Sequence, residues 1–267
     1  MIVTTSSRDE RLIEKAMRFS EKYGIPYRVR GEKSLAYLYG TEDRQVFVVN
    51  HNRGLSYYEE GKSEAFFHPN MAFHRLRNLR QGGIDMLAVV CGLEPGMTFL
   101  DGTLGLASDA MTAASVVGDG GRVIGTEKSL PLYILVREGL EFHAEKEPEL
   151  RNIAARMELH HADNLDFLRT CADGSCDVIY FDFMFHRPVS ASFGIEVIRN
   201  YAAYDAITPE HIAEALRTAR SRVVVKTDRS GHRMLAELGF ECLKETSRGE
   251  FCYMGYIKQE GKSSVFS

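Results

Sequence analysis

Thr98-Phe99-Leu100-Asp101-Gly102-Thr103-Leu104-Gly105-Leu106-Ala107-Ser108-Asp109-Ala110 is the stretch that decides the fold. A short apolar run ends in an acid, breaks into a glycine turn and restarts as small and apolar residues through Val117. Strand, tight turn and helix in that order open a doubly wound α/β sheet, where ligands sit beyond the carboxyl ends of the strands. Gly102 is expected to free the turn, and Gly105 to let backbone approach a ligand where a Cβ would intrude. Ala107, Ala110, Ala113 and Ala114 would let the helix lie close to the sheet. The competing reading is a glycine turn that binds nothing, since a lone glycine-rich loop is weak evidence.

The dinucleotide fingerprint G-x-G-x-x-G asks for glycine at 102, 104 and 107, where this chain has Gly102, Leu104 and Ala107. The Walker pattern fails too, for want of Gly-Lys-Ser/Thr. What remains is an acid with glycine at the fourth position after it. That is similar to the loop of class I S-adenosylmethionine (SAM) methyltransferases, which contacts a methionine moiety and a ribose but no phosphate. Arg122-Val123-Ile124-Gly125-Thr126-Glu127 is strand-like and ends in an acid 22 residues after Gly105. This is near the spacing at which a carboxylate accepts from ribose hydroxyls.

At 267 residues, one large or two small domains are expected. A content of 44% hydrophobic and 26% charged residues is ordinary for a soluble globular chain. No apolar run approaches the roughly 20 residues of a membrane span, and the N-terminus lacks a secretory apolar segment. A cytoplasmic protein with no membrane partner is therefore expected. Cys91, Cys171, Cys176, Cys242 and Cys252 are odd in number and form no C-x-x-C, which suits reduced thiols. No metal-ligand spacing is present, so no metal is expected, and His160-His161 reads as structural. The net charge of −4 is uneven: residues 1–83 hold 14 Lys/Arg against 10 Asp/Glu, leaving a net −8 on the remainder. Such asymmetry marks a face for an anionic partner or merely solvated surfaces.

Residues 1–67 read as a small α+β module. Ile2–Thr5 suits a strand, and Ser7 or Asp9 caps a helix through Tyr23 that Gly24 closes. Strand-like runs follow at Pro26–Val29, Leu35–Tyr39, Gln45–Val49, Leu55–Tyr58 and Ala65–Phe67. Residues 68–95 form a basic lead-in carrying Arg75, Arg77 and Arg80 with no acid between them; Gly82-Gly83 and a helix over Ile84–Cys91 follow. Residues 96–267 form the main domain. Strands at 98–101, 122–127, 157–161, 177–182 and 222–227 alternate with helices at about 108–117, 129–144, 164–171 and 209–220. Thr208-Pro209 starts the last of these helices, Thr as N-cap and Pro at its first position. The runs Phe240–Glu245 and Glu250–Ile257 would form an antiparallel hairpin at the sheet edge. Five parallel strands with such a hairpin is the class I methyltransferase architecture, a Rossmann-like, mostly parallel sheet.

Two further acids stand where strands leave the sheet. Asp163-Asn164 follows the third strand and would accept from an adenine amino group, cap the next helix, or do both. Asp182 closes the fourth and leads into Phe183-Met184-Phe185-His186-Arg187. An acid here accepts from exocyclic N–H groups, and an aromatic stacks on an unpaired base. Core packing is the other reading for these aromatics, and is expected for at least one of Phe183, Met184 and Phe185. For Asp182 it is unattractive, because a buried unpaired carboxylate is costly.

Residues Asp101–Ala110, Asp182–Arg187 and Arg222-Val223-Val224-Val225-Lys226 occur in the order found in one family. They resemble the bacterial small-subunit ribosomal RNA guanine-N2 methyltransferases of the J type, over roughly residues 68–230. The resemblance implies SAM as cofactor and RNA as partner. It implies cofactor contacts at Asp101, Gly102, Thr103, Gly105, Ser108, Asp109, Glu127, Lys128, Asp163, Asn164 and Asp182. Asp182 and Phe185 would carry the chemistry, while Arg75, Arg77, Arg80, His186, Arg187 and Lys226 would meet the substrate. The chain departs from the family in three places. Asp-Pro-Met-Tyr-Pro-His-Arg reads here Asp182-Phe183-Met184-Phe185-His186-Arg187; the loop's Gly-Arg-Asp reads Ala107-Ser108-Asp109; and Gly-Arg-Gly-Gln reads Ile84-Asp85-Met86. These departures bear on the target base more than on the cofactor.

The leading expectation is a SAM-dependent methyltransferase acting on an exocyclic amino nitrogen, a guanine of ribosomal RNA. A same-fold enzyme acting on a small metabolite and an inactive SAM-binding scaffold stand as alternatives. A monomer and a homodimer are both compatible with the sequence.

Overall fold

Hydrophobic alternation and helix caps divide the chain as its computed structural model does, with local exceptions. The structure describes residues 1–39, 44–183, 201, 207–246 and 251–258. These group into two compact units. One is built from Met1–His68, Pro131–Arg151 and Tyr201, the other from Pro69–Leu130 and the remaining described residues after Arg151. The helical stretch 131–151 thus groups with the N-terminal residues, unlike a division read along the chain.

In the first unit, β1 (Ile2–Thr5) and β2 (Gln45–Asn50) pair in parallel. α1 (Glu10–Tyr23) separates them in sequence, starting on Asp9, whose side chain accepts the Arg11 N–H, and ending at left-handed Gly24. β3 (Gly54–Glu59) and β4 (Ala65–Phe66) complete the sheet antiparallel. Two expected strands are corrected. Pro26–Val29 contributes only a bridge from Tyr27 to Val3, and proline has no N–H with which to extend a ladder. Leu35–Tyr39 is a short helix, α2. Ser34 Oγ accepts the Tyr37 N–H at 3.2 Å, and the i,i+3 pair Leu35 and Leu38 meets Ile2, Val46 and Val48.

The second unit begins with α3 (Asn70–Arg80) and α4 (Met86–Cys91). α4 starts two residues later than expected because Asp85 is its cap: extended in backbone, its carboxylate accepts the Leu87 N–H at 3.0 Å. Along the chain there follow β5 (Thr98–Asp101), α5 (Ser108–Val117), β6 (Arg122–Glu127), α6 (Leu130–Ala144), α7 (Pro148–Ala154), β7 (Met157–His161), α8 (Asn164–Thr170) and β8 (Cys176–Asp182). Of these, α6 and α7 fall mostly in the first unit, and α7 was not expected. α9 (Pro209–Thr218), β9 (Ala219–Asp228), α10 (Arg229–Glu237), β10 (Glu241–Glu245) and β11 (Phe251–Ile257) follow. Thr208 caps α9, with Pro209 at its start. Among the described residues the strand order is β10-β11-β9-β8-β5-β6-β7, five parallel strands with an antiparallel hairpin at one edge. This is the doubly wound class I methyltransferase arrangement. Chain order reverses between β5 and β8, which places a crevice at their carboxyl ends. The alanines of α5 that pack toward the sheet are fully buried, as their size suggested. Among the described residues no helix is long and apolar enough to cross a membrane.

Candidate active site

β5 delivers Asp101 into the crevice with 1% of its surface exposed. The Thr103 N–H donates to its carboxylate at 3.0 Å and the Thr103 hydroxyl at 3.4 Å. No cation among the described residues pairs with it. Burial, and then the nearby Asp109 and Asp182 charges, push the Asp101 carboxyl well above its ordinary range. Thr103 Oγ1 also accepts the Asp182 N–H at 2.7 Å, tying the ends of β5 and β8 together.

The two glycines do different work from that expected of one of them. Gly102 does not need a left-handed backbone; a Cβ on it would lie 2.3 Å from the Phe181 ring, so close packing demands the glycine. Gly105 is left-handed, at φ 51°, and its N–H donates to Glu127 Oε2 at 3.1 Å. Ala107, where the J-type loop has glycine, is also left-handed at φ 60°, alone in this among the described non-glycine residues.

Glu127 ends β6 almost wholly buried. Its other oxygen accepts the Ser129 N–H at 2.8 Å. Burial pushes its carboxyl up to about 7 against the pull of the Ser129, Gly105 and Lys128 N–H groups. Lys128 pairs with Asp163 at 3.0 Å, while the other Asp163 oxygen caps α8 through the Leu165 and Asp166 N–H groups. The cap reading of Asp163 is therefore realised in the geometry. Asn164 donates from Nδ2 to the Gly102 carbonyl at 2.9 Å. Among the described residues its buried Oδ1 has no hydrogen-bond partner.

On the other side of the crevice, register sets Asp182 of β8 opposite Lys226 of β9, and Lys226 opposite Tyr253 of β11. Partners in register share a sheet face. Lys226 Nζ donates to Asp182 Oδ2 at 2.6 Å, with about a quarter of each side chain exposed. Burial and Asp109 raise the Asp182 carboxyl against the pull of Lys226. Lys226 stays protonated: burial disfavours its charge, and the Asp182 and Asp109 carboxylates more than reverse that. Tyr253, pushed up to about 12 by burial, belongs to this row, and periodicity along β11 could not have found it.

Arg75 is not the open phosphate contact expected of it. Its guanidinium grips Asp85 through two bonds of 2.8 Å and Asp109 at 2.5 Å, beside Ser108. Burial would push the Asp85 carboxyl up, but Arg75 holds it below its ordinary value. The hydroxyl of buried Tyr180, two residues before Asp182 on the same strand face, donates to Asp109 at 3.3 Å. Neither role of Asp85, helix cap or ion-pair partner, was read from the sequence. Arg77 and Arg80 are exposed on α3, since two and five residues on from Arg75 bring each to roughly the opposite side of the helix, about 200° and 140° round. Phe185, His186 and Arg187 lie outside the described residues. Phe183 is core, stacked on Phe181 with ring centroids 5.3 Å apart.

Four carboxylates (Asp85, Asp101, Asp109, Asp182) thus share the crevice region with two cations, Arg75 and Lys226. An uncompensated buried acid at Asp101 and a partnerless acceptor at Asn164 Oδ1 suit a ligand that brings positive charge and hydrogen-bond donors.

A family model described as "Putative SAM-dependent methyltransferase" matches residues 36–249. The chain is 36% identical to uncharacterized protein YpiP of Bacillus subtilis, over 91% of this chain and 94% of that one. It is 32% identical to ribosomal RNA small subunit methyltransferase J of Pseudomonas aeruginosa, over 81% and 80% of the two chains. A solved structure of a SAM-dependent methyltransferase from Neisseria gonorrhoeae superposes with a TM-score of 0.61, covering 98% of both chains at 19% identity. That last likeness concerns the fold.

Proposed function

Because the chain belongs to the class I SAM-dependent methyltransferases and its cofactor is SAM, we propose that it methylates an exocyclic amino nitrogen of RNA, a guanine of the small ribosomal subunit. The observation that carries this reading is Asp182. It is a partly exposed carboxylate at the end of β8, with one oxygen held by Lys226 and its N–H by Thr103. The P. aeruginosa relative, named for small-subunit ribosomal RNA, supports the choice of substrate.

Glu127 would accept from the cofactor's ribose hydroxyls, Asn164 Oδ1 from its adenine amino group, and Asp101 would balance its positive charge. The cofactor supplies an activated methyl group on a sulfonium. The remaining work is orientation and exclusion of water, which well-placed groups do at large effective concentration. Lys226 fixes the Asp182 carboxylate by one oxygen, so the other is left to accept an N–H of the target amine and aim the nitrogen lone pair. The proton leaves the nitrogen after attack, for which a strong general base is unnecessary. Arg77 and Arg80 would follow the RNA backbone, with Phe185, His186 and Arg187 as proposed contacts near the base.

Transfer of labelled methyl from SAM to small-subunit RNA from cells lacking the protein tests the reading. Label in monomethylated guanosine after nuclease digestion is expected. Label in the small-molecule fraction with none in RNA would overturn the RNA assignment, and SAM binding without transfer to any fraction would overturn the enzymatic one.

A further inference from the structure

His232 of α10, Cys242 of β10 and Cys252 of β11 each bring one ligand atom to within 4.8 Å of the other two. None belongs to the crevice described above, and their sequence spacing carries no metal signature. Cys242 faces Met254 across the β10–β11 ladder, and Cys252, two residues along β11 from Met254, shares that face; the ladder shifts register just beyond, between Cys242 and Lys244. Both cysteines then lie on the face that α10 covers, beside buried Leu235, Phe240 and Met254. Cys252 is buried at the floor, and His232 and Cys242 are open to solvent at the rim.

We propose that these three side chains bind one zinc-class divalent cation per chain. One imidazole nitrogen and two sulfurs are a borderline-soft donor set, which suits tetrahedral Zn²⁺ and not the oxygen-seeking Mg²⁺ or Ca²⁺. Three protein ligands leave a fourth position for water, and the exposed rim gives it access. Binding is balanced by protons: the cation replaces one proton on each thiol, so two are released per ion when both begin as thiols. Burial, with the Cys242 sulfur adding to it, pushes the Cys252 thiol up to about 12. The bound ion would fasten α10 to the terminal hairpin, whose β11 carries Tyr253 beside Lys226.

The test uses the full chain, reduced with a phosphine. Zn²⁺ titrated against a chromophoric chelator should bind one per chain, and Co²⁺ should give a thiolate charge-transfer band. Proton release should accompany binding. Cys242→Ser and His232→Ala, both at exposed positions, should keep the fold and weaken Zn²⁺ by at least roughly 100-fold, since even outer-shell changes cost about 10–100-fold. Cys171→Ser should change nothing. Unaltered affinity in the Cys242 and His232 variants, or Co²⁺ binding with no thiolate band, overturns the proposal. So does a reduced chain that binds no Zn²⁺ and yields only a Cys242–Cys252 disulfide on oxidation.

Discussion

The acids at the carboxyl end of the large sheet are held in two ways. Asp101 and Glu127, which end β5 and β6, accept from nearby backbone N–H groups and have no cation among the described residues. Asp182, Asp109 and Asp85, toward β8 and α3, are gripped by Lys226 and Arg75. An acid held only by N–H groups keeps spare lone pairs for a ligand, but burial without a cation disfavours its charged form, which a cationic ligand would restore. An acid paired with a cation is largely neutralised by the fold and serves first as a fixed strut. Asp182 combines both states, since Lys226 engages one oxygen and the side chain stays partly exposed. The first group thus suits cofactor binding, and Asp182 suits a directional contact to substrate.

Removing the cation from the second group gives the largest expected effect. Arg75→Met keeps the apolar stem but leaves Asp85 and Asp109 without a counter-charge; stability should fall by about 3–5 kcal/mol in urea unfolding. An unchanged midpoint would mean that Arg75 is not the strut. In the first group, Glu127 makes pH the probe. Its folded pKa of about 7 lies above the ordinary 4.5, so its contribution to stability is full below about 4.5 and is lost as pH rises through 7. At 1.36 kcal/mol per unit, the loss approaches about 3 kcal/mol in the cofactor-free protein. Glu127→Gln should remove that component from the pH–stability curve; coincident slopes for the two proteins would place it elsewhere.

Asp182→Asn sharpens the contrast within the crevice. Single-turnover transfer at saturating SAM should slow by about 100-fold, about 2.7 kcal/mol of barrier. Asp101→Asn should instead weaken SAM binding by calorimetry and change the saturated rate less. If the two variants behave alike, the division between cofactor and substrate acids is wrong. The smallest effect belongs to the exposed arginines. With two phosphate contacts at roughly 0.7 each, Arg77→Ala with Arg80→Ala should flatten the log–log salt slope of RNA binding by about 1.4. A slope that does not move would take these side chains out of the RNA contact.

Local signals were read well where a residue and its neighbours settle the matter. Asp9 before α1, Thr208-Pro209 before α9 and Gly24 after α1 act through contacts within a turn. Leu35–Tyr39 failed because a continuous apolar run of five suits a strand or i,i+3 helical burial equally, and only Ile2, Val46 and Val48 decide between them. Arg75 failed differently. Absence of acids nearby in sequence says nothing about Asp109, 34 residues on and brought beside it by α5.

By itself the sequence determined the alternation of strands and helices after residue 96, the acids ending four parallel strands, and the terminal hairpin. Each follows from periodicity, caps or turns spanning a few residues. Tertiary structure alone decided which acids are paired with a cation and which are left to a ligand. Asp182 meets Lys226 across 44 residues because β8 and β9 pair in that register, and Tyr253 joins them through β11. The reason is physical: backbone preferences are local, whereas the partner of a charge, and hence its pKa, depends on distance in space.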